Sequence, residues 1–442
     1  MRICLVNYRY FVSGGPERYL FGVKRLLEER GHEVIPFSIR YRQNEPTPWA
    51  QYFVDPIAGD DQVTFHEHGW RPRYVKRSLE RAFYSREVYS SLARLIRDTR
   101  PDVALVQNYL KKLSPSVLTA FSDHGVPVVV RFSDFALVCP QPNMVRDGHV
   151  CEICLHAGYW PSVVHRCVQG SLGASLVNAL AMTYAQRRRF FDLPDAFVAP
   201  SAIMREKMIE GGLPPAKVHH IPTFVEPQSA PAIEQRRRRI CFNGRIDEIK
   251  GVRVLLDGFD LLRRRGRDGS HDGLALHIAG DCSDGEGRAL QAHARRLGTP
   301  GVVFTGPLDK KTLTRLVAES LVCVVPSLCY ENTPNALLES LACGTPVVAS
   351  DQGSMKEIIS GTGAGVLVPP GEPAALAAGL EVILGDAAEW VGMSSRAQQL
   401  AAERYGADLH LQRLLGVFDQ VTETRRRPHR SGSTQVVRSA AK

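Results

Sequence analysis

The stretch LVCVVPSLCYENTPNALLESLACGTPVVAS, residues 321–350, decides how the chain is read. Leu321–Val325 is an apolar run of strand length, and Pro346–Ala349 is another. Between them a loop of turn residues gives way to a helix-periodic stretch that closes at Gly344. Strand, helix and strand, with both strands apolar throughout, is the unit of a parallel sheet covered on both faces. Thr333 is suited to cap the helix and Pro334 to its first turn. Glu331 then falls in the loop ahead of the helix and Glu339 inside it. The free N–H groups of such a helix start suit an anion or a ring of hydroxyls. Two flanking carboxylates can accept hydrogen bonds from those hydroxyls. Taken alone, the pair reads equally well as one loop charge and one solvent-facing helix residue.

The same alternation spreads outward. In the second half strands are expected at Arg239–Asn243, Leu274–Ala279, Val302–Phe304 and Gly365–Val368, each followed by a helical pattern. In the first half Ile3–Val6 leads into the turn Ser13-Gly14-Gly15-Pro16, a helix over Glu17–Arg30 and a strand over His32–Ile39. Further strands fit Val103–Val106, Pro127–Val130 and Ala196–Ala199, while Tyr41 to Tyr74 carries no regular pattern. The expected class is α/β, with two Rossmann-like doubly wound domains facing across a cleft. A chain of 442 residues is too long for one ordinary core, as this division requires. The N-terminal domain would span 1–225 and the C-terminal domain 226–405, joined where prolines interrupt the pattern near Pro222 to Arg239. A last helix within 406–424 would cross back onto the first domain. Residues 425–442, polar and basic, read as a disordered tail.

The formal net charge of +9 fits nucleic acid, anionic lipid or a phosphorylated substrate. The tail lacks interleaved aromatics for base stacking, so nucleic acid is disfavoured. No apolar run reaches eighteen residues and no cleavage pattern follows the start, so a cytoplasmic location is expected.

Ligands in such sheets bind outside the carboxyl ends of the strands. After the Arg239–Asn243 strand comes FNGRIDEIKG, in which Arg245 and Lys250 bracket a turn and Gly244 and Gly251 allow close backbone approach. Arginine suits bidentate phosphate contact and lysine supplies a mobile point charge. Two solvated loop cations are the plainer alternative. AGDCSDG places Gly280 at a third strand end, and FTGPLDKKTL places Gly306 and Leu308 at a fourth.

With these four stretches in order, residues 239–405 resemble the donor domain of glycosyltransferase family 4, retaining enzymes of the GT-B fold that use nucleotide sugars. The resemblance implies that Arg245 and Lys250 hold the donor diphosphate, Glu339 binds the ribose and Glu331 touches the transferred sugar. It also implies that Asn332, Thr333, Pro334 and Asn335 surround sugar and phosphate, with Gly280 and Leu308 in the donor site. The family often has glycine where Asn332 stands. In the first half it implies that Gly14 and Gly15 lie against the donor. It also places His-Asp where this chain has Ser133-Asp134, which leaves Asp134 as a catalytic candidate beside Glu331, Arg245 and Lys250. Asp134 reads equally as a turn or cap aspartate.

The implied activity is transfer of a sugar from a UDP- or GDP-sugar to a saccharide or lipid-linked acceptor, in surface polysaccharide or glycolipid synthesis. No organic cofactor is expected, and no divalent metal for the chemistry, because cationic side chains take its place. A nucleotide-sugar epimerase of the same fold and a non-catalytic binding protein are the rival readings. Cys139, Cys151, Cys154 and Cys167 form C-x11-C-x2-C-x12-C in a loop-like insert, which suits a structural tetrahedral zinc site. Reduced packing thiols and a redox switch stay open. The apolar stretch LGASLVNALAMTYAQRRRFF, ending in Arg187 to Arg189, fits either a core-packed helix or peripheral contact with the inner face of a membrane. GTGAGV at Gly361–Val366 precedes a strand, so it fails the dinucleotide logic, and no phosphate loop of the GxxxxGK[ST] type occurs.

Overall fold

The computed structural model describes residues 1–58, 72–266 and 271–426. Two six-stranded sheets, parallel throughout, form its two halves. The first contains β1 (Arg2–Val6), β2 (Glu33–Phe37), β3 (Val103–Val106), β4 (Val128–Arg131), β5 (Ala196–Ala199) and β6 (Val218–His220). Their order is β2-β1-β3-β4-β5-β6. The second contains β7 (Arg237–Asn243), β8 (Ala275–Ala279), β9 (Val302–Gly306), β10 (Ser320–Val325), β11 (Val347–Ser350) and β12 (Gly365–Val368). Their order is β9-β8-β7-β10-β11-β12. The central strands are buried on both sides, which is why they read as unbroken apolar runs.

Each order reverses direction once, between β1 and β3 in the first sheet and between β7 and β10 in the second. At such a switch the connections leave on opposite faces, and a crevice opens outside the strand ends. The residues after β1, β3, β7 and β10 therefore face one space. This is how the fold brings four distant stretches of sequence together.

The last helix, Ala407–Arg426, starts within the expected span, runs two residues beyond it and packs on the first domain. Leu411, Leu414, Val417, Phe418 and Val421 are buried with Ile3, Leu5 and Leu27 in a single apolar cluster. Two ion pairs reinforce it, Arg30 with Asp408 at 2.6 Å and Arg425 with Asp195 at 2.9 Å. The tail expected from residue 425 thus begins as helix, and 427–442 lie outside the described residues. Where the chain crosses between domains, Val225 N–H donates to the Tyr405 carbonyl at 2.8 Å, so both crossings are tied together.

Three further features depart from expectation. The first sheet gains the short edge strand Val218–His220, whose two histidines masked its pattern. The cysteine insert is not all loop: it holds a hairpin, Val145–Arg146 against His149–Val150, and short helices at Ile153–Ala157 and Pro161–Val164. Within Tyr41 to Tyr74 a short 3-10 helix forms at Pro48–Tyr52, and 59–71 lie outside the described residues.

His410 holds the returning helix in place. Its Nδ1 is 2.7 Å from the Pro222 carbonyl and its Nε2 3.1 Å from the Tyr19 hydroxyl. A carbonyl only accepts, so Nδ1 carries the proton and Nε2 accepts from Tyr19. Burial pushes this imidazole from 6.5 down to about 3. The unfolded chain then binds a proton that the folded chain refuses, so stability is lost as pH falls from 6.5 towards 3. Thermal unfolding across that window should show a falling midpoint. In His410→Gln, which donates and accepts without titrating, the slope should flatten.

Candidate active site

Between the domains lies a cleft of about 1010 Å³ lined by the loops after β1, β3, β4, β7, β8, β9 and β10. Its C-terminal wall is built on two close backbone approaches. Gly251 has φ +73°, and a Cβ there would sit 1.9 Å from the Pro326 carbonyl oxygen. A Cβ on Gly280 would sit 2.1 Å from the Gly244 oxygen. Only glycine permits either contact. The turn is then fixed by Asp247, whose carboxylate accepts from Lys250 N–H at 2.7 Å, and by Leu328 N–H donating to the Ile249 carbonyl at 2.8 Å.

That turn aims Lys250 at Glu331. Lys250 Nζ lies 2.5 Å from Glu331 Oε1, and Ser327 Oγ donates to the same oxygen at 2.6 Å. Burial alone would raise the Glu331 carboxyl, but Lys250, Ser327 and Arg245 outweigh it and hold the group below its ordinary value. Burial likewise works against the Lys250 cation, and Glu331 more than offsets it. Arg245 stands on the cleft wall, largely exposed, with Nη1 3.1 Å from Asp247.

Glu339 is placed differently. It does not line the cleft but bonds to two residues that do, Arg18 at 3.2 Å and Asn243 at 3.3 Å. Burial, only partly opposed by Arg18 and Lys310, raises its carboxyl above the ordinary value. Arg18, Asn243 and Ser327 were not singled out in the sequence. Asn243 ends β7 directly before the Gly244-Arg245 turn and Ser327 stands four residues before Glu331, so position relative to strand ends was the available signal.

Gly14, Gly15, Asp134, Gly280, Leu308, Asn332, Thr333, Pro334 and Asn335 all line the same cleft. The helix Gly15–Glu29 and the helix Asn335–Ala342 begin beside one another. A Cβ on Gly15 would approach Asn335 Nδ2 to 3.0 Å. Gly14 itself is extended at φ −171°, a conformation open to any residue, so the tight approach is at Gly15 alone. Thr333 is not the cap: Pro334 takes that position and the helix starts at Asn335. The Thr333 hydroxyl instead donates to the Pro200 carbonyl across the cleft at 2.8 Å.

Asp134 does close a turn, accepting from Ala136 N–H at 2.9 Å, and it also lines the cleft. Burial raises its carboxyl against the Ala136 bond and the nearby Lys111 cation. Next to it, Asn332 Nδ2 approaches the Phe132 carbonyl at 3.5 Å. Ser133 Oγ and Asn332 Oδ1 are buried in the cleft wall without a hydrogen-bond partner. The two positions that depart from the family pattern are thus neighbours. Buried polar atoms of this kind ask for a ligand or water.

In the insert, the Cys139 thiol is hydrogen-bonded to Cys154, which lowers Cys154 to about 7 and raises Cys139. Cys151 and Cys167 lie within electrostatic reach of Cys154 or its partner. The four thiols share one insert, yet among the described residues no three His, Cys, Asp or Glu side chains close to metal-ligand geometry.

Residues 13–229 match the family model described as Glycosyltransferase Family 4, and residues 237–386 match that described as Glycosyl transferases group 1. The chain belongs to the family 4 glycosyltransferases. Over 438 residues this glycosyltransferase is 26% identical to a glycogen synthase of Mycobacterium tuberculosis, covering 95% of the chain and 94% of the relative. A D-inositol 3-phosphate glycosyltransferase of Jonesia denitrificans is 34% identical over 151 residues, 33% of this chain and 35% of that one. Among solved structures, a sucrose-phosphate synthase of Thermosynechococcus elongatus superposes with a TM-score of 0.69 at 16% identity, covering 96% of this chain and 99% of the other. Anabaena HepE in complex with UDP-glucose superposes with a TM-score of 0.61 at 16% identity, covering 95% and 100%. The fold is GT-B, and the protein is an enzyme that transfers glycosyl groups.

Removing one member of a buried ion pair leaves the other charge uncompensated, at a cost of about 3–5 kcal/mol. Lys250→Met should therefore lower the thermal midpoint of the glycosyltransferase. Lys250→Met/Glu331→Gln should regain most of that stability while turnover stays lost. Calorimetry and an activity assay on both variants check this. Since the Glu331 carboxyl is depressed in the folded state, its contribution is present above the ordinary carboxylate range. It is lost as pH falls through the depressed value.

Proposed function

We propose that the protein moves a sugar, with retention of configuration, from a nucleoside-diphosphate sugar to a saccharide or lipid-linked acceptor. The observation that carries this is the convergence of Arg245, Lys250 and Glu331 with two helix starts on one cleft. Two cations and a set of backbone N–H groups suit a diphosphate. Glu331, kept ionised, suits the hydroxyls of the transferred sugar, and Glu339, reached beside Asn243, suits a ribose. The unpartnered Ser133 Oγ and Asn332 Oδ1 give further polar partners to a sugar ring. UDP is favoured as the nucleotide, since HepE is described in complex with UDP-glucose.

In this reading the departing diphosphate oxygen accepts the proton of the incoming hydroxyl on the same face of the sugar. Arg245 and Lys250 stabilise the charge that develops there. Asp134 borders that space and needs no histidine beside it. Surface polysaccharide or glycolipid synthesis is the fitting context, and a lipid-linked acceptor would bring the enzyme to the inner face of a membrane. No helix among the described residues is long and apolar enough to cross one.

Arg245→Ala should lower turnover two to three decades, about 3–4 kcal/mol of transition-state stabilisation, while folding stays intact. Wild-type turnover in that variant would remove Arg245 from the role. Incubation with donor alone separates the readings further: transfer requires acceptor, whereas an epimerase would convert the donor without one. We also propose zinc as a structural staple for Cys139, Cys151, Cys154 and Cys167, because four thiols suit this soft ion. Elemental analysis of the purified protein should give one zinc per chain, and Cys151→Ser/Cys154→Ser should lose it. A metal-free wild type would refute the assignment.

A further inference from the structure

The helix Leu172–Arg187 is turned inside out. Its buried side carries Ser175, Asn178, Ala179, Ala181, Met182 and Ala185, nearly all small or polar. Its large aliphatic residues Leu172, Leu176, Val177 and Leu180 are exposed, Leu172 at 53%. Their spacing of three and four residues sets them on one face. A helix meant only for water would place its leucines inward and its alanines outward. The neighbouring elements extend the same surface. The short helix Pro161–Val164 packs on this one and leaves Val164 77% exposed, with Trp160 before it at 51%. The helix Pro72–Phe83 also packs here, Phe83 meeting Tyr184 with ring centroids 5.7 Å apart, and it leaves Val75 and Leu79 exposed. An apolar surface assembled from three elements marks a docking site.

Charge decides the occupant. From Ile153 to Phe191 the chain has no aspartate or glutamate, and it has four arginines, Arg166 and Arg187 to Arg189. The Pro72–Phe83 helix adds exposed Arg73 and Lys76. Two of these cations are paired with acids, Lys76 with Glu80 at 3.9 Å and Arg189 with Asp192 at 2.6 Å, which leaves Arg73, Arg166, Arg187 and Arg188 in excess among the described residues. Exposed leucines and a tryptophan rimmed by arginines match an anionic lipid bilayer, whose acyl chains take the first and whose phosphates take the second. We propose that this face of the N-terminal domain docks on an anionic membrane surface. The geometry also gives the contact a purpose. Ala179 and Met182, on the inward side of the same helix, pack with Tyr159 against Leu110, and Leu110 lines the cleft. The docking face and the cleft are therefore opposite sides of one small packed layer, which would bring a lipid-carried acceptor close to the donor. Only that purpose rests on the proposed acceptor class; the docking itself does not.

Sedimentation of the full chain with vesicles tests this. The protein should be retained on equimolar phosphatidylcholine and phosphatidylglycerol, released by rising salt, and weakly held by phosphatidylcholine alone. Leu176→Glu/Leu180→Glu should weaken retention on the order of tenfold or more, while its thermal midpoint and its binding of UDP stay at wild-type values. Leu176→Met/Leu180→Met should bind as the wild type does. Arg187→Ser/Arg188→Ser should weaken retention about fivefold per charge removed, the equivalent of ~1 kcal/mol each. Equal retention on both vesicle types, or none on either, overturns the proposal. So does a dimer, seen by light scattering, that Leu176→Glu/Leu180→Glu dissolves, since the face would then meet a second copy of this chain. Loss of sugar transfer with retention intact would count against the activity and leave the docking face standing.

Discussion

Three strand ends of the C-terminal sheet are pressed together until their backbones touch. The turn after β7 lies against Pro326 at the end of β10 and against Gly280 at the end of β8, at distances that no Cβ survives. Everything on that wall follows from this contact. It sets the turn that aims Lys250, and Lys250 fixes Glu331, which lies ahead of the helix start at Asn335. Lys250 and Glu331 are thus set in place by main chain. Sites on such supports keep their geometry without spending ligand binding energy on ordering.

The buried pair has a second side. Lys250 and Glu331 satisfy one another, so neither charge is stranded. Burying two ions is costly unless they are paired and further bonded, and Ser327 supplies the additional bond. Arg245 has no such confinement, for it is mostly exposed and pairs with Asp247 at the cleft edge. One cation is therefore fixed and the other is free to follow a ligand. That division suits a group that must be gripped at one phosphate and released at the other.

Much of this was legible because strand ends announce themselves. The unbroken apolar runs gave β3, β5 and β12 at their observed limits, and of these β3 is followed by residues that line the cleft, as are β1, β4, β7, β8, β9 and β10. What stayed hidden depended on contacts between remote stretches. Thr333 looked like a helix cap by local rules, but the helix begins one residue later with Pro334 at the cap, and the Thr333 hydroxyl faces a carbonyl of the other domain. Glu339 looked like a cleft residue, but Arg18 and Asn243 stand between it and the space. Nothing local marks Arg236, the first of four successive arginines, as a core residue. Arg236 is in fact buried over the Trp390 ring at 4.6 Å, donating to the Cys343 and Gly344 carbonyls. The inverted helix was hidden for a related reason: its leucines form one face and its alanines another, and sequence alone does not reveal which of them faces in.

The chain passes between its two halves twice, near Val225 and again near Gly406, and a backbone bond from Val225 to Tyr405 clasps the two passages. A joint with two such strands has a spine. Swinging about that spine changes few torsions, whereas shearing or twisting would tear the clasp. The halves can then part like the covers of a book, with the pages opening on the side away from the binding. A substrate would enter along the fore-edge, and the same swing would release the spent one.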